Sequence, residues 1–550
     1  MTDTSASTPR SSLLARLVGN GRSRVGLVAA LIAALAVRLP GLTSKDLWFD
    51  DAWAAMPARA SFRDALHMVV TTPGYTLVSR LWIGLYPEAT WWAQLPTLLF
   101  GLLGVVAIFC LLRYLNTSEL VQWICTAIVV LSPTTVTYST RVKEYAFDFL
   151  LGVALLALAE RVRRTPRAKH LIHLGLVSVV SVFFSLSSAV VVLGIWLAVG
   201  LLAIWQRELR ARIFGIGAAT ALLGAAVALP FAAAVPSVLN HNWRRRGFLF
   251  DPSSFHDARR TLTTIFSGLA HGLIGVPIHL NPHVTFWKLW AIAIALVVIA
   301  FLVLAGRSAA RRTLRSRPTF SRTTPAAMIL VVATFAALAS RVPLGDGRTD
   351  EVIFPAILVL GALVFGPTID AGFAKLGRKS PTLPRIALAA ALLGAVIFGG
   401  LHTSRYPTID LRGLASKWAP TTKGDTRLVT VVDGFNAFGW GYYALSPTTI
   451  AFGPDHGHIW PQGFHIAATT NSVIISNNNM SVPGRFAHLA ARADAVWYIG
   501  FEQGTYNPYS PMPYALRPSA TYFELLREGW KPRPGYSLLA EHCYAMLLTR

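Results

Sequence analysis

Leu47-Trp48-Phe49-Asp50-Asp51-Ala52-Trp53 stands just beyond the apolar run Val25–Leu42. That run is long enough to cross a bilayer, which takes about 17–25 residues. Two adjacent carboxylates framed by aromatics therefore fall where a membrane helix surfaces. Ionisable groups so close to lipid are costly and are kept for chemistry or for pairing. This junction assigns the chain to the membrane class and directs attention to its outer surface.

The rest of the 550 residues agrees, with 53% hydrophobic, 14% charged and a mean hydropathy of +0.49. Such a balance excludes an ordinary soluble domain. A net charge of +24 invites nucleic acid, but 23 of the 50 Lys and Arg fall in short stretches at the ends of apolar runs. These are Arg10–Arg24, Arg113, Arg161–Lys169, Arg207–Arg212, Arg307–Arg322 and Lys375–Arg385. They alternate with uncharged turns, as the positive-inside rule requires. The charge thus records topology, and no nucleic-acid partner is implied. Arginine far outnumbers lysine and alanine is abundant, which reads as bacterial. Cys110, Cys125 and Cys543 offer neither a disulfide framework nor metal-ligand spacing. Arg38 inside the first run, with no small-residue cleavage site after it, speaks against a cleaved signal.

Eleven runs can span: Val25–Leu42, Trp92–Leu112, Leu120–Thr137, Ala146–Glu160, His170–Leu186, Ala189–Trp205, Ile213–Val235, Phe286–Ala305, Ala326–Val342, Val352–Ile369 and Ile386–Leu401. Gly74–Tyr86 is too short and carries Arg80, and a crossing there would put every later basic cluster outside. It is read as a juxtamembrane helix on the outer face. The chain then divides into an inner tail 1–24, a membrane domain 25–401 with outer loops 43–91, 138–145 and 236–285, and an outer domain 402–550. In that last part Leu428–Asp433, Ser472–Ser476, Ala495–Ile499 and Tyr544–Thr549 read as strands, and Gly484–Ala493 and Ser519–Gly529 as helices. The fold class is a polytopic α-helical membrane protein with a C-terminal soluble α/β domain.

Asp50 and Asp51 suit a general base with an orienting neighbour, since adjacent residues on a helix point about 100° apart. They suit a helix N-cap as well. Tyr138-Ser139-Thr140-Arg141-Val142-Lys143-Glu144-Tyr145 puts two cations and one anion at the depth of lipid phosphate, which arginine binds in bidentate fashion. Headgroup anchoring or an Arg141–Glu144 ion pair explains the same residues. Arg348, in the short outer loop Gly345–Glu351, is one more cation on that side, or an interfacial anchor. Arg244-Arg245-Arg246 read as anchors to anionic headgroups. His241, His256, His271, His279 and His283 are scattered, and no phosphate-loop, nucleophile-elbow or dinucleotide motif occurs.

In their order and shared side, these segments resemble the GT-C glycosyltransferases, multispanning enzymes that use polyprenyl-phosphate sugars. Over roughly residues 25–370 the likeness is greatest to the protein mannosyltransferase and aminoarabinose-transferase branch. Leu47–Trp53 resembles that family's W-x-D-E-A segment, with Asp51 where Glu is usual. Pro73-Gly74-Tyr75, Trp82 and Gly84 are similar to its Pro-x-Tyr juxtamembrane helix, with Thr72 where a basic residue is frequent. Ala93-Gln94-Leu95-Pro96-Thr97 is similar to its Arg-Leu-Pro-Ser span opening. Leu131-Ser132-Pro133 followed by Tyr138-Ser139 and Arg141–Tyr145 resembles its second outer loop, with the charge order altered. Arg348 with Pro355 resembles the start of a late span.

The resemblance implies Asp50 and Asp51 as catalytic carboxylates, and Arg141, Lys143 and Arg348 as donor-phosphate contacts. Tyr75, Glu144 and Tyr145 would meet substrate. Inverting transfer would run from a polyprenyl-phosphate-linked sugar to a glycan, lipid or protein acceptor at the outer face of the plasma membrane. No cofactor is required, and the Asp pair leaves a divalent ion open. A transporter or lipid-linked-sugar flippase is the competing reading; it calls for charges at helix centres and helices broken at mid-membrane. Cysteine labelling in intact cells should find positions near Arg164 and Arg312 inside and the tail domain outside; external labelling at both Arg-rich loops would refute the topology.

Overall fold

The computed structural model describes residues 21–42, 47, 49–58, 72–86, 89–234, 248–250, 253–274, 321–339, 342–344, 350–379, 411–418, 428–432, 464–467, 472–475, 493–501, 520–540 and 543–550. The expected spans Phe286–Ala305 and Ile386–Leu401, the Arg244–Arg246 cluster and the helix Gly484–Ala493, but for its last residue, lie outside them.

Helix α1 (Gly21–Leu42) leads to the short α2 (Phe49–Ala55) and to α3 (Pro73–Leu85), the expected juxtamembrane helix. Then come α4 (Thr90–Tyr114), α5 (Glu119–Leu131), α6 (Pro133–Tyr138), α7 (Tyr145–Arg164), α8 (Ala168–Phe184), α9 (Ser188–Trp205) and α10 (Arg210–Ala234). Three more follow before the tail: α11 (Phe255–Ile274), α12 (Thr324–Leu338) and α13 (Phe354–Lys379). Ser23–Leu42, Thr90–Tyr114, Arg207–Leu229 and Phe354–Ala371 are long and apolar enough to cross a membrane, and four shorter apolar helices accompany them. The fold is that of a polytopic α-helical membrane protein. Its core gathers Val105, Ile108 and Leu112 of α4, Leu155 of α7, Val191 and Ile195 of α9 and Ile329 of α12.

The ends of these helices sort into two groups. At one end, Asp51 meets Arg141, the Thr72 hydroxyl donates to the Phe184 carbonyl, and Ser132 donates to Gly272. At the other, Ser118 donates to Asp370 at 2.6 Å, Arg322 donates to the Leu115 carbonyl at 3.2 Å, and the Arg164 guanidinium lies 4.1 Å from the Tyr114 ring centroid. Every one of these contacts joins segments that the sequence places on the same side. The turn at the second end is short because Asn116 adopts φ 56°, which lets Thr117 N–H reach the Leu112 carbonyl. Asparagine tolerates that left-handed conformation, and the bond closes the end of α4.

One expected span is broken. Leu120–Thr137 reads as continuous, yet it divides into α5 and α6 at Ser132-Pro133. Proline has no N–H, so the carbonyl four residues earlier, that of Val129, loses its helical donor. Arg38, fully buried in α1, supplies replacements: Nη2 donates to the Val129 carbonyl at 3.2 Å and Nη1 to that of Val130 at 3.0 Å. The Thr135 hydroxyl adds a second bond to Val129 at 2.7 Å.

Helix α3 is held by an aromatic clasp. Trp82 and Trp92 stack with centroids 4.3 Å apart, and each indole N–H donates to the other's carbonyl, at 2.7 and 2.9 Å. Its outer residues Leu81, Leu85 and Tyr86 are exposed, as an interfacial helix requires.

The tail forms a six-stranded sheet in the order β2-β3-β1-β4-β6-β5, from β1 (Leu428–Val432), β2 (Phe464–Ala467), β3 (Ser472–Ile475), β4 (Ala495–Phe501), β5 (Lys531–Ala540) and β6 (Cys543–Thr549). Strand β1 is central and parallel to both β3 and β4, while β2, β5 and β6 pair antiparallel. Helix α15 (Ala520–Arg527) covers one face through Leu525, which packs with Val496, Tyr498, Trp530 and Leu548. Helix α14 (Leu411–Trp418) packs on β5 and β6. Strands β2 and β5 and helix α14 are additions to the expected elements. Pro532, Pro534 and Gly535 hide β5 from a strand reading; it is an edge strand with an irregular register between Pro532 and Ser537, where proline is tolerated.

Gly194 lets α9 approach α12, because a Cβ there would lie 2.5 Å from Ile329 Cα, whereas Gly200 on the same helix has nothing within 4 Å. Overpacking typically costs about 1–3 kcal/mol, against about 1 kcal/mol gained by Ala over Gly in a helix. Gly194→Ala should therefore lower the thermal unfolding temperature of the detergent-purified protein, and Gly200→Ala should raise it or leave it unchanged.

Candidate functional site

Three expected outer segments meet at one end of the bundle. The loop after α6 (residues 139–144) is seated tightly on α1 and α4. Ser139 packs where a Cβ on Gly101 would be, and a Cβ on Gly41 would lie 2.7 Å from Thr140 Oγ1. The rings of Tyr138 and Tyr145, 4.7 Å apart and edge to face, close the base of the loop. Tyr145, expected to meet substrate, therefore contributes its ring to the loop's own framework.

The seated loop presents Arg141 to α2. Arg141 Nη1 donates to Asp51 Oδ2 at 2.9 Å, and the Val142 N–H donates to Asp51 Oδ1 at 3.0 Å. The Asp51 side chain is only 1% exposed and that of Arg141 14%. Asp51 thus joins the first outer segment to the second, and Arg141 pairs across the loops with Asp51, where the sequence alone offered Glu144. Asp50 is the preceding residue of the same helical turn; its side chain lies outside the described residues, as does Arg348. Arg80 Nη1 donates to the Pro57 carbonyl at 3.1 Å, fixing α3 to the turn after α2.

Tyr75 of α3 and Lys143 are buried beside this pair. Burial, and then the Glu144 charge, push the Tyr75 phenol well above its ordinary range. Burial likewise raises the Glu144 carboxyl, opposed by Lys143 next to it. Glu144 Oε2 has no hydrogen-bond partner among the described residues. Tyr75 and Glu144 thus lie near the Asp51–Arg141 pair, with Lys143 in the same loop.

The structure adds residues that the sequence reading passed over. Arg38, Asp148 in the first turn of α7, and Asp350 and Glu351 before α13 are fully buried at the same end. A signal for two of them was available: a lone Arg and a lone Asp inside apolar runs are costly unless they have a role. Among the described residues no group of three His, Cys, Asp or Glu could hold a metal ion.

No protein-family model matches the sequence, and no curated protein is significantly similar to it. Solved structures are similar. The apo crystal structure of ArnT from Cupriavidus metallidurans is 12% identical, covers 96% of this chain and 98% of its own, and superposes with a TM-score of 0.56. The structure of the same protein bound to undecaprenyl phosphate is 13% identical, with 95% and 98% covered and a TM-score of 0.52. The chain shares the fold of these ArnT structures along nearly its whole length.

Removing Arg141 leaves the Asp51 carboxylate buried without its cation, a loss that typically costs about 3–5 kcal/mol. Arg141→Ala should destabilise the purified protein on that scale, and Arg141→Ala with Asp51→Asn should recover part of the loss. Additive effects in the double-mutant cycle would show that the pair carries no coupling.

Proposed function

We propose that this chain is a membrane glycosyltransferase that moves a sugar, with inversion, from a polyprenyl-phosphate donor to a hydroxyl on the outer side of the plasma membrane. The observation that carries the reading is the clasp in which buried Asp51 holds Arg141 and the Val142 N–H. It fixes the turn that bears Asp50 against the cation-rich loop, so a base and phosphate-binding groups share one site. The likeness to ArnT, one of whose structures holds undecaprenyl phosphate, supports the choice of donor class.

In the transfer, the acceptor oxygen bonds to the anomeric carbon as the bond to phosphate breaks, and the electron pair leaves on the phosphate. Asp50 takes the hydroxyl proton. Asp51 is a positioning residue, anchoring the helix and orienting Arg141. Lys143 and Arg348, with Arg141, supply positive charge where the phosphate departs. Tyr75 and Glu144 border the sugar. The residues named need no cofactor for this chemistry.

Asp50→Asn keeps the shape of the side chain but cannot accept a proton, and loss of a positioned base typically costs about 10²- to 10⁴-fold in rate. Purified Asp50→Asn protein should bind donor, unfold at the parent temperature and lose transfer on that scale. Transfer at the parent rate would refute the assignment.

A further inference from the structure

Near the clasp lie two buried acids, Asp148 and Glu351, that the transfer step does not use. Asp148 and Glu351 are both 0% exposed, and none of their four carboxylate oxygens has a hydrogen-bond partner among the described residues. Glu144, one helical turn before Asp148, leaves Oε2 in the same condition. Two further buried atoms face the group. Ser185, which ends α8 and is 1% exposed, turns its hydroxyl toward Asp148 without closing a regular hydrogen bond. Arg38 stands beside Glu351 with Nε unpartnered, its terminal nitrogens being engaged by the carbonyls at the α5–α6 break.

Buried polar atoms without partners are rare, and a concentration of them demands a cause. Charge balance supplies one. Among the described buried residues, with every acid ionised, Asp51, Glu144, Asp148, Asp350 and Glu351 outnumber Arg38, Arg141 and Lys143. A surplus of buried negative charge is relieved by taking up a proton. A phosphodiester arriving at the same end of the bundle would add to that surplus and strengthen the demand.

We propose that Glu351, with Asp148 beside it, is a buried proton site coupled to anion binding, so that docking of an anionic polyprenyl phosphate at the clasp is accompanied by proton uptake there. The proposal rests on the donor class inferred above. The groups facing Glu351 are Arg38 from α1, Asp148 from α7 and Asp350 of its own turn. Burial, and then the Asp148 charge, hold the Glu351 carboxyl well above its ordinary range, with Arg38 opposing and Asp350 adding. The sign follows. Donor binding is strongest where Glu351 is protonated and weakens as pH rises through its value in the free protein, by at most about tenfold per pH unit for one linked proton.

The test is calorimetric titration of the full-length protein in detergent with undecaprenyl phosphate, across a pH series and in two buffers of different ionisation enthalpy. Proton uptake should appear as a buffer-dependent heat, and affinity should fall as pH rises. Glu351→Gln, fixed in the neutral state, should keep its affinity at high pH and lose the uptake. Binding without buffer-dependent heat, or uptake unchanged in both Glu351→Gln and Asp148→Asn, would overturn this inference and leave the donor reading standing. Failure to bind at any pH would overturn both. Infrared spectra of the unliganded parent protein give a readout independent of binding and of the variants' folding. A protonated-carboxyl stretch should disappear with rising pH over the same range in which donor affinity falls, and the lack of a carboxyl titrating there would overturn the proposal.

Discussion

The hydrogen bonds from Arg38 to the carbonyls of Val129 and Val130 are the constraint on which the site depends. Pro133 releases those carbonyls, and in a membrane interior an unsatisfied backbone group costs several kcal/mol. A buried arginine answers both needs at once, since its own burial is tolerable only where its donors are engaged. With the break capped, α6 carries residues 139–144 over the end of α1 at Gly41 and onto α4 at Gly101. Gly41 and Gly101 allow the loop to sit there. Only after these steps does Arg141 reach Asp51. The charge pair is therefore the last link of a chain that begins with a proline and an arginine 95 residues apart in sequence.

Hydropathy reports whether a segment is apolar, and that is enough to place most of the membrane helices and to group their ends. It cannot report a break inside an apolar run when both halves remain apolar, so α5 and α6 read as one span. Ser132-Pro133 was the local signal, and its consequence is visible only with Arg38 beside it. The central strands β1, β3, β4 and β6 are legible because they are largely apolar stretches paired on both sides in the sheet. Strand β2 is a four-residue edge, and β5 contains two prolines and Gly535 at φ 77°, so neither carries a strand pattern.

At the site, the order of motifs along the chain was legible, and their pairing was not. Arg141 had a carboxylate three residues away and another 90 residues away, and sequence spacing favours the near one. The structure chooses the distant one because the turn after α6 aims Arg141 at α2, while Glu144 lies at the start of α7 beside Tyr75. Asp148 and Glu351 went unremarked for a related reason. Glu351 follows Asp350 in an outer loop, where a solvated position is the ordinary outcome. Asp148 stands in an apolar run where its cost was a signal, but only helix packing shows that the two are buried together.

A broken helix and charges within spans are also what a transporter would show, so their depth decides what they mean. Arg38 lies one helical turn from the end of α1, Asp148 is in the first turn of α7, and Glu351 stands just before α13. All three belong to the end of the bundle where Asp51 meets Arg141, and the break at Pro133 lies there too. Alternating access needs a binding site near the middle of the membrane, reachable from both ends. Among the described residues, the ionised and hydrogen-bonded groups of the opposite end serve a different purpose. Glu160 accepts from Arg163 and Arg164 within the last turns of α7, and Ser118 donates to Asp370, which ties the start of α5 to α13. Between the two ends the described buried side chains carry no charge, and hydroxyls there such as Thr126 and Ser178 are bonded to the preceding helical turn. Charged groups gathered at one end over an uncharged middle fit the proposed transfer at a single surface better than alternating access.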